Sequence, residues 1–183
     1  MIKSIEDRRR FGIHELGLLE NSADRSFDIV LHYSARLLSV GKISFMVFND
    51  ERDWLVSKAS VGLGQIQKSA IGLAIAGSLA SEIRFEGTSL VVEDIYERPH
   101  LSDCVEKRIV GIASYIGSPV HGPAGDIVGV LAAMSDTPRQ WTRSDRKTME
   151  DSAYLLSQRI MLKASFETLR LVSAERKRIS QVS

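Results

Sequence analysis

Hydrophobic positions change period several times along this chain, and the changes mark its elements. Phe27, Val30, Leu31, Ser34, Leu37 and Leu38 recur at helical spacing and predict a helix with one apolar face. Asn21-Ser22-Ala23-Asp24 precedes it and supplies side-chain acceptors for the free N–H groups of its first turn. An earlier helix is predicted over residues 5–20, with Phe11, Leu16 and Leu19 on one side. Residues 42–48 then turn β-rich (Ile-Ser-Phe-Met-Val-Phe), residues 49–53 read as a turn, and residues 54–61 give the returning strand of a hairpin.

Gly62-Leu63-Gly64 ends that strand, and residues 70–85 are small and apolar enough to predict a helix stopping near Gly87. A short strand is expected at residues 89–94, a polar loop at 95–103 and a short helix at 104–109. Residues 113–120 and 127–134 form a second hairpin around His121-Gly-Pro-Ala-Gly-Asp126. Thr142 is a good helix N-cap, with Asp145 three residues on completing a capping box. The helix it opens is expected to reach Ile179, roughly 55 Å at 1.5 Å per residue. Met149, Ala153, Leu156 and Ile160 make one apolar stripe; Leu155, Leu162, Phe166, Leu169 and Val172 make another. One stripe is expected to cover a sheet and the other to meet a second chain. The fold class expected is α+β: an antiparallel sheet of about five to six strands, a helical pair on one face, and a helix-and-loop layer over a pocket on the other.

Composition narrows the function classes. Lysine and arginine total 24 against 23 acids, a net charge of +1 in 183 residues, so nothing global favours nucleic acid or an anionic membrane. Cys104 is the only cysteine, which excludes an intrachain disulfide and a cysteine-based zinc cluster and suits a reducing cytosol. The charged first ten residues are not followed by the apolar run of a secretory signal. The greasiest stretch, residues 69–80, is too short for a membrane span, which takes about 20 apolar residues. The chain is therefore expected to be cytoplasmic.

Several pieces, taken in order, resemble a known family. They are Phe27-Asp-Ile-Val30 with Ala35-Arg-Leu-Leu38, Ile43-Ser-Phe-Met-Val-Phe48, Ser60-Val-Gly-Leu63 and Ser89-Leu-Val-Val-Glu-Asp-Ile95. Gly111-Ile-Ala-Ser-Tyr-Ile-Gly-Ser-Pro-Val120 and Gly125-Asp-Ile-Val-Gly-Val-Leu131 follow. Each is weak alone, but their order and spacing over residues 22–160 resemble a GAF domain, the ligand-sensing module of bacterial signalling proteins and cyclic-nucleotide phosphodiesterases. The resemblance implies a helical extension at 1–21, the sensor domain at 22–160 and a signalling helix at 161–183. It implies a pocket between the sheet and residues 70–109, a homodimer through flanking helices, and an output domain or partner that reads the helices. It implies a small-molecule ligand but names none.

Side chains expected to line the pocket are Phe45, Trp54, Ile71, Leu79, Ile83, Ile95, Tyr115 and Met134, with Cys104 at its edge. Ser114, Tyr115, Ser118 and His100 are the polar groups expected to orient a ligand. Leu155, Leu162, Phe166, Leu169 and Val172 are expected at the dimer interface. The bland alternative is that the apolar set fills a core, leaving a ligand-free dimerisation scaffold.

Catalytic and cofactor readings find less support. Some GAF domains attach a bilin to a Cys-His pair, but Cys104 is followed by Val105. Methionine-sulfoxide reductases on this fold need several cysteines, and one cannot form and resolve an intramolecular disulfide. His100, Asp103 and Cys104 cluster in sequence, yet a metal needs three or four ligands in fixed geometry. Asn49-Asp-Glu51 sits in a turn, where Asn and Asp are favoured for backbone reasons, rather than spread out as in the cyclic-nucleotide signature. Gly62-Leu-Gly64 lacks the third glycine of a dinucleotide loop, and no spacing singles out a hydrolase triad. No enzyme activity and no metal are expected, and the cofactor, if any, is left open.

Overall fold

The computed structural model describes residues 16–19, 24–64, 73–101 and 103–182. In chain order the elements are α1 (Arg25–Leu38), β1 (Lys42–Asn49), β2 (Trp54–Val61), β3 (Leu73–Ala74), α2 (Leu79–Glu86) and β4 (Leu90–Val92). A short 3-10 turn (Pro99–Leu101) follows, then α3 (Val105–Val110), β5 (Ser114–His121), β6 (Ile127–Ser135) and α4 (Arg143–Val182). The strands pair antiparallel in one six-stranded sheet of order β3-β2-β1-β6-β5-β4.

β1 and β6 lie at the centre, and both of their faces are covered. Their sequences are therefore near-continuous apolar runs rather than strict alternations. Period two still sorts the side chains. Phe45, Val47, Leu131 and Ala133 join a core under α1 and α4, while Met46, Phe48, Val130, Ala132 and Met134 join one under α2 and α3. The first core also holds Phe27, Leu31 and Leu38 from α1, and Met149, Ala153, Leu156, Ile160 and Ala164 from α4. Phe27 meets Phe45 edge-to-face at 5.3 Å, a favoured aromatic geometry.

The helix starts follow from their caps. Asp24 accepts the amide of Ser26 at 3.0 Å and so satisfies a free donor of α1. The capping box expected at α4 is formed: Thr142 N donates to Asp145 Oδ2 at 2.9 Å, and Asp145 N to Thr142 Oγ1 at 3.1 Å. α1 and α4 are tied by Ser34 Oγ to Ser152 Oγ at 2.8 Å and Arg159 Nε to Ser26 Oγ at 2.8 Å.

Two expectations are corrected. The helix expected at 70–85 is divided: residues 73–74 pair as β3 with β2, and α2 begins only at Leu79. Gly77 takes a left-handed φ of 76°, and Ser78 accepts the Ser81 amide as N-cap, so helical backbone starts after both. Residues 65–72 lie outside the described set. The helix expected at 5–20 is not formed at residues 16–19, a turn that buries Leu16 and Leu18 against the α1 side; its remaining residues, Phe11 among them, lie outside the described residues. Among the described residues no helix is long and apolar enough to cross a membrane.

Candidate functional site

The face of the sheet beneath α2 and α3 carries the densest unexplained polar chemistry. α2 is anchored at both ends. At its start Val105 N donates to Gly77 O at 3.0 Å, and Leu79 N donates to both carboxylate oxygens of Glu106 at 3.0 Å. Glu106 comes from α3 and is fully buried. Burial pushes its carboxyl pKa up, while the amides of Leu79, Ala80 and Glu106 itself pull the other way. Further along α2, Arg84 donates to Asp50 in the β1–β2 turn, at 2.9 Å for one bond of the fork, and its guanidinium stacks 4.6 Å from the Phe48 ring.

Below α2 lies Tyr115, fully buried on β5. Its ring runs along the sheet over Gly117, two residues on. A Cβ at Gly117 would come within 2.6 Å of both Tyr115 Oη and Ile83 Cδ1, so only glycine leaves room for this packing. The Tyr115 hydroxyl is buried and has no hydrogen-bond partner among the described residues. Burial, with the neighbouring carboxyl groups of Glu106 and Glu82 adding to it, holds the phenol well above its usual pKa and therefore protonated. Cys104 is buried at the N-cap of α3, and burial raises its thiol pKa as well, which suppresses the nucleophilic thiolate.

The structure brings six of the expected lining residues to this face: Leu79, Ile83, Ile95, Cys104, Tyr115 and Met134. Others it places elsewhere. Phe45 points to the opposite core, against Phe27. Ser118 faces that same side and bonds Ser89 Oγ at 2.9 Å, and Ser114 Oγ donates to Thr137 O at 3.0 Å. Trp54 opens the β2 strand and is 40% exposed. His100 sits on the surface, in a cleft of about 370 Å³ beside Glu82, Phe85 and Glu86, apart from buried Cys104. Ile71 lies outside the described residues.

Glu106, Gly117 and Val92 are among the members of this face that sequence reasoning missed, with Met46, Phe48, Val130 and Ala132. Glu106 stands in Val-Glu-Lys-Arg, which reads as a solvated turn of helix. No local signal marks its burial.

Two further surfaces flank the domain. A groove of about 750 Å³ runs between α4, the β5–β6 turn and the α2–β4 loop; Ser118, His121, Tyr154, Ser157 and Met161 are among its walls. Ser157 Oγ accepts the His121 amide there at 2.9 Å and ties the end of β5 to α4. The second surface is α4 itself. Met149, Ala153, Leu156 and Ile160 are buried, as expected for the sheet-facing stripe, whereas Leu155, Leu162, Phe166, Leu169 and Val172 are exposed. On α1, Ile29, Tyr33 and Leu37 are exposed at four-residue spacing and form a second outward stripe.

Comparison with known proteins gives these features a family. The family model for the GAF domain matches residues 22–160. Diguanylate cyclase DgcP of Escherichia coli (strain K12) is 35% identical over 72 residues, which cover 39% of this chain and 21% of that protein. The matched part is thus about a fifth of the relative's length. The GAF domain of an Acinetobacter phosphoenolpyruvate-protein phosphotransferase superposes with a TM-score of 0.65 at 17% identity, over 82% of this chain and 89% of that one. Residues 122 to 287 of a methyl-accepting chemotaxis protein superpose with a TM-score of 0.64 at 16% identity, over 82% and 97%. At such identities the likeness shows the fold: a curled antiparallel sheet between a helical pair and a smaller helix layer. On the family match over most of its length, and on this fold, the chain belongs to the GAF domain family.

Proposed function

We propose that this chain is a regulatory sensor module. It binds a small molecule on the sheet face beneath α2 and α3, dimerises through α1 and α4, and relays occupancy along α4 to an output domain or partner in the cytoplasm. The observation that carries the reading is the overrun of α4. Its last buried side chain among the described residues is Ala164, yet the helix continues to Val182. A helix that only covered the sheet would end near Ala164. Beyond it, Phe166, Leu169 and Val172 stand exposed, an arrangement suited to a partner helix.

The Tyr115 hydroxyl, without a partner among the described residues, supports the ligand part of the reading. A buried polar group without a partner is uncommon, and a bound molecule would satisfy it. The relay is a population shift: ligand must favour one helical arrangement over the other, and its differential affinity sets how far the balance moves. A regulatory role also fits Cys104, which burial keeps as a thiol.

One observation favours a ligand-free scaffold instead. The Tyr115 ring itself fills the space over Gly117 beneath Ile83. Native mass spectrometry of freshly purified protein, followed by denaturing mass analysis, separates the readings. A dimer with extra non-covalent mass supports the sensor and identifies the class of ligand. A dimer at bare mass after exposure to a metabolite library supports the scaffold, and a monomer overturns the helical relay.

A further inference from the structure

The segment between β6 and α4 holds three parts of the molecule at once. Arg139 donates its guanidinium to Leu38 O at 2.7 Å and Ser39 O at 3.3 Å, which caps the C-terminal end of α1. The same group lies 3.5 Å from Asp145, the capping acid of α4, and stacks 4.5 Å from the Trp141 ring. Its backbone N–H donates to Glu93 O at 2.9 Å, just past β4. Trp141 is buried in the α1/α4 core, but its indole Nε1–H crosses to Val92 O on β4 at 3.3 Å. The Val92 side chain belongs to the other core, beneath α2 and α3. One hydrogen bond therefore joins the two cores at the start of the long helix.

We propose that Arg139 and Trp141 are the joint that couples the α2/α3 face of the sheet to the start of α4. The inference rests on the sensor reading above and names its coupling element. β4 is the natural moving part. It is an edge strand of three residues, paired on one side only among the described residues, with Leu90, Val91 and Val92 opposite Gly117, Ile116 and Tyr115. Val92 is thus the register partner of Tyr115, which Ile83 of α2 covers near Gly117. Ile95, also in the α2/α3 core, follows two residues after Glu93 and is fixed by its amide to Ala113 O at 2.8 Å. A rearrangement beneath α2 that shifts Val92 and Ile95 carries the carbonyls of Val92 and Glu93 with it. Those carbonyls hold Trp141 and Arg139, which lead directly into the α4 capping box. Arg139 also grips the end of α1, so α1 and α4 respond together. Both act as positioning residues. Arginine is required for its planar fork, which reaches two α1 carbonyls while stacking on the indole; a lysine offers one point of charge.

Hydrogen-exchange mass spectrometry on the full chain tests this without a ligand. Ile83→Val serves as a small perturbation of the α2/α3 face. It is read in the native background and in Trp141→Phe and Arg139→Lys, two conservative variants that keep an aromatic ring or a cation. Rates are normalised to β1 amides, which report global unfolding, and α2 amides confirm that the perturbation is felt. We expect Ile83→Val to speed exchange in the first two turns of α4 by about threefold or more in the native background, and by less than about 1.5-fold when either joint residue is altered. An equal response in all backgrounds overturns the joint while leaving coupling by another route. No response of α4 in any background, with α2 responding, overturns the joint and the relay together.

Discussion

Glu106 and Leu79 sit on different helices, yet the carboxylate of the first receives the amide of the second on both oxygens, with no solvent reaching either. The start of α2 is thus completed by a residue 27 positions downstream. Removing the carboxylate strands buried amide donors. We expect Glu106→Ala to destabilise the domain by about 1–3 kcal/mol, the cost of leaving such donors unpaired. Glu106→Gln retains an acceptor and should cost less. Urea unfolding of the two variants beside the native chain checks the order.

The same residue sets a pH dependence. Its folded pKa is raised by burial, so the native state holds the proton more tightly than the unfolded chain. Its contribution is therefore complete below the unfolded carboxylate pKa, about 4.3 for Glu, and is lost as pH rises through the folded value. Stability of the native chain minus that of Glu106→Gln should fall between acid and neutral pH. A difference that is flat or rises with pH would contradict the direction of the shift.

Gly117 is expected to tolerate no side chain. Gly117→Ala places a methyl group against Tyr115 Oη and Ile83 Cδ1, an overpacking that costs about 1–3 kcal/mol. Tyr115→Phe alone should be close to neutral, because the hydroxyl it removes has no hydrogen bond to lose among the described residues. Combined, the two substitutions should cost less than their sum, since they share one contact. Thermal unfolding of the four chains closes that cycle.

Cys104 should resist alkylation. Its thiol is buried and its pKa raised, so little thiolate is available. Iodoacetamide at neutral pH is expected to label the native chain slowly and the urea-unfolded chain readily, as read by intact mass. Fast labelling of the native chain would show that α3 opens.

Phe166→Glu and Leu162→Lys alter exposed positions and should leave unfolding midpoints within experimental scatter. Under the dimer reading they weaken association by placing charge in an apolar seam. Sedimentation velocity across a concentration series measures this. Unchanged association would remove these residues from the interface.

Much of the architecture could be read from periodicity. The β1–β2 hairpin, the closing hairpin and the capping box at Thr142 and Asp145 are all strong local signals, and each is formed where expected. The segment around residues 70–85 was harder, because small apolar residues suit helix and buried turn alike. Gly77 and Ser78 decide between them. At the site, Leu79, Ile83, Ile95, Tyr115 and Met134 were legible as members of one face, whereas Phe45, Trp54, Ser114 and Ser118 were misplaced. On strands buried on both sides, polarity no longer reports which way a side chain points, and one residue of register reverses it. Glu106 was hidden for a different reason: its partners are backbone amides of another helix, which leave no trace in side-chain pattern.

α4 also fixes a phase. It is one continuous helix of 40 residues whose start is clamped by its capping box and by Arg139. A straight helix turns about 100° per residue and nearly closes after seven. Anything joined beyond Val182 is therefore held at an azimuth set by the number of residues between it and Thr142. Lengthening the junction by two residues would turn it by about 200° and present nearly its opposite side, while adding seven would nearly restore it. Spacing after this domain is thus a variable in its own right, independent of the identity of the residues that fill it.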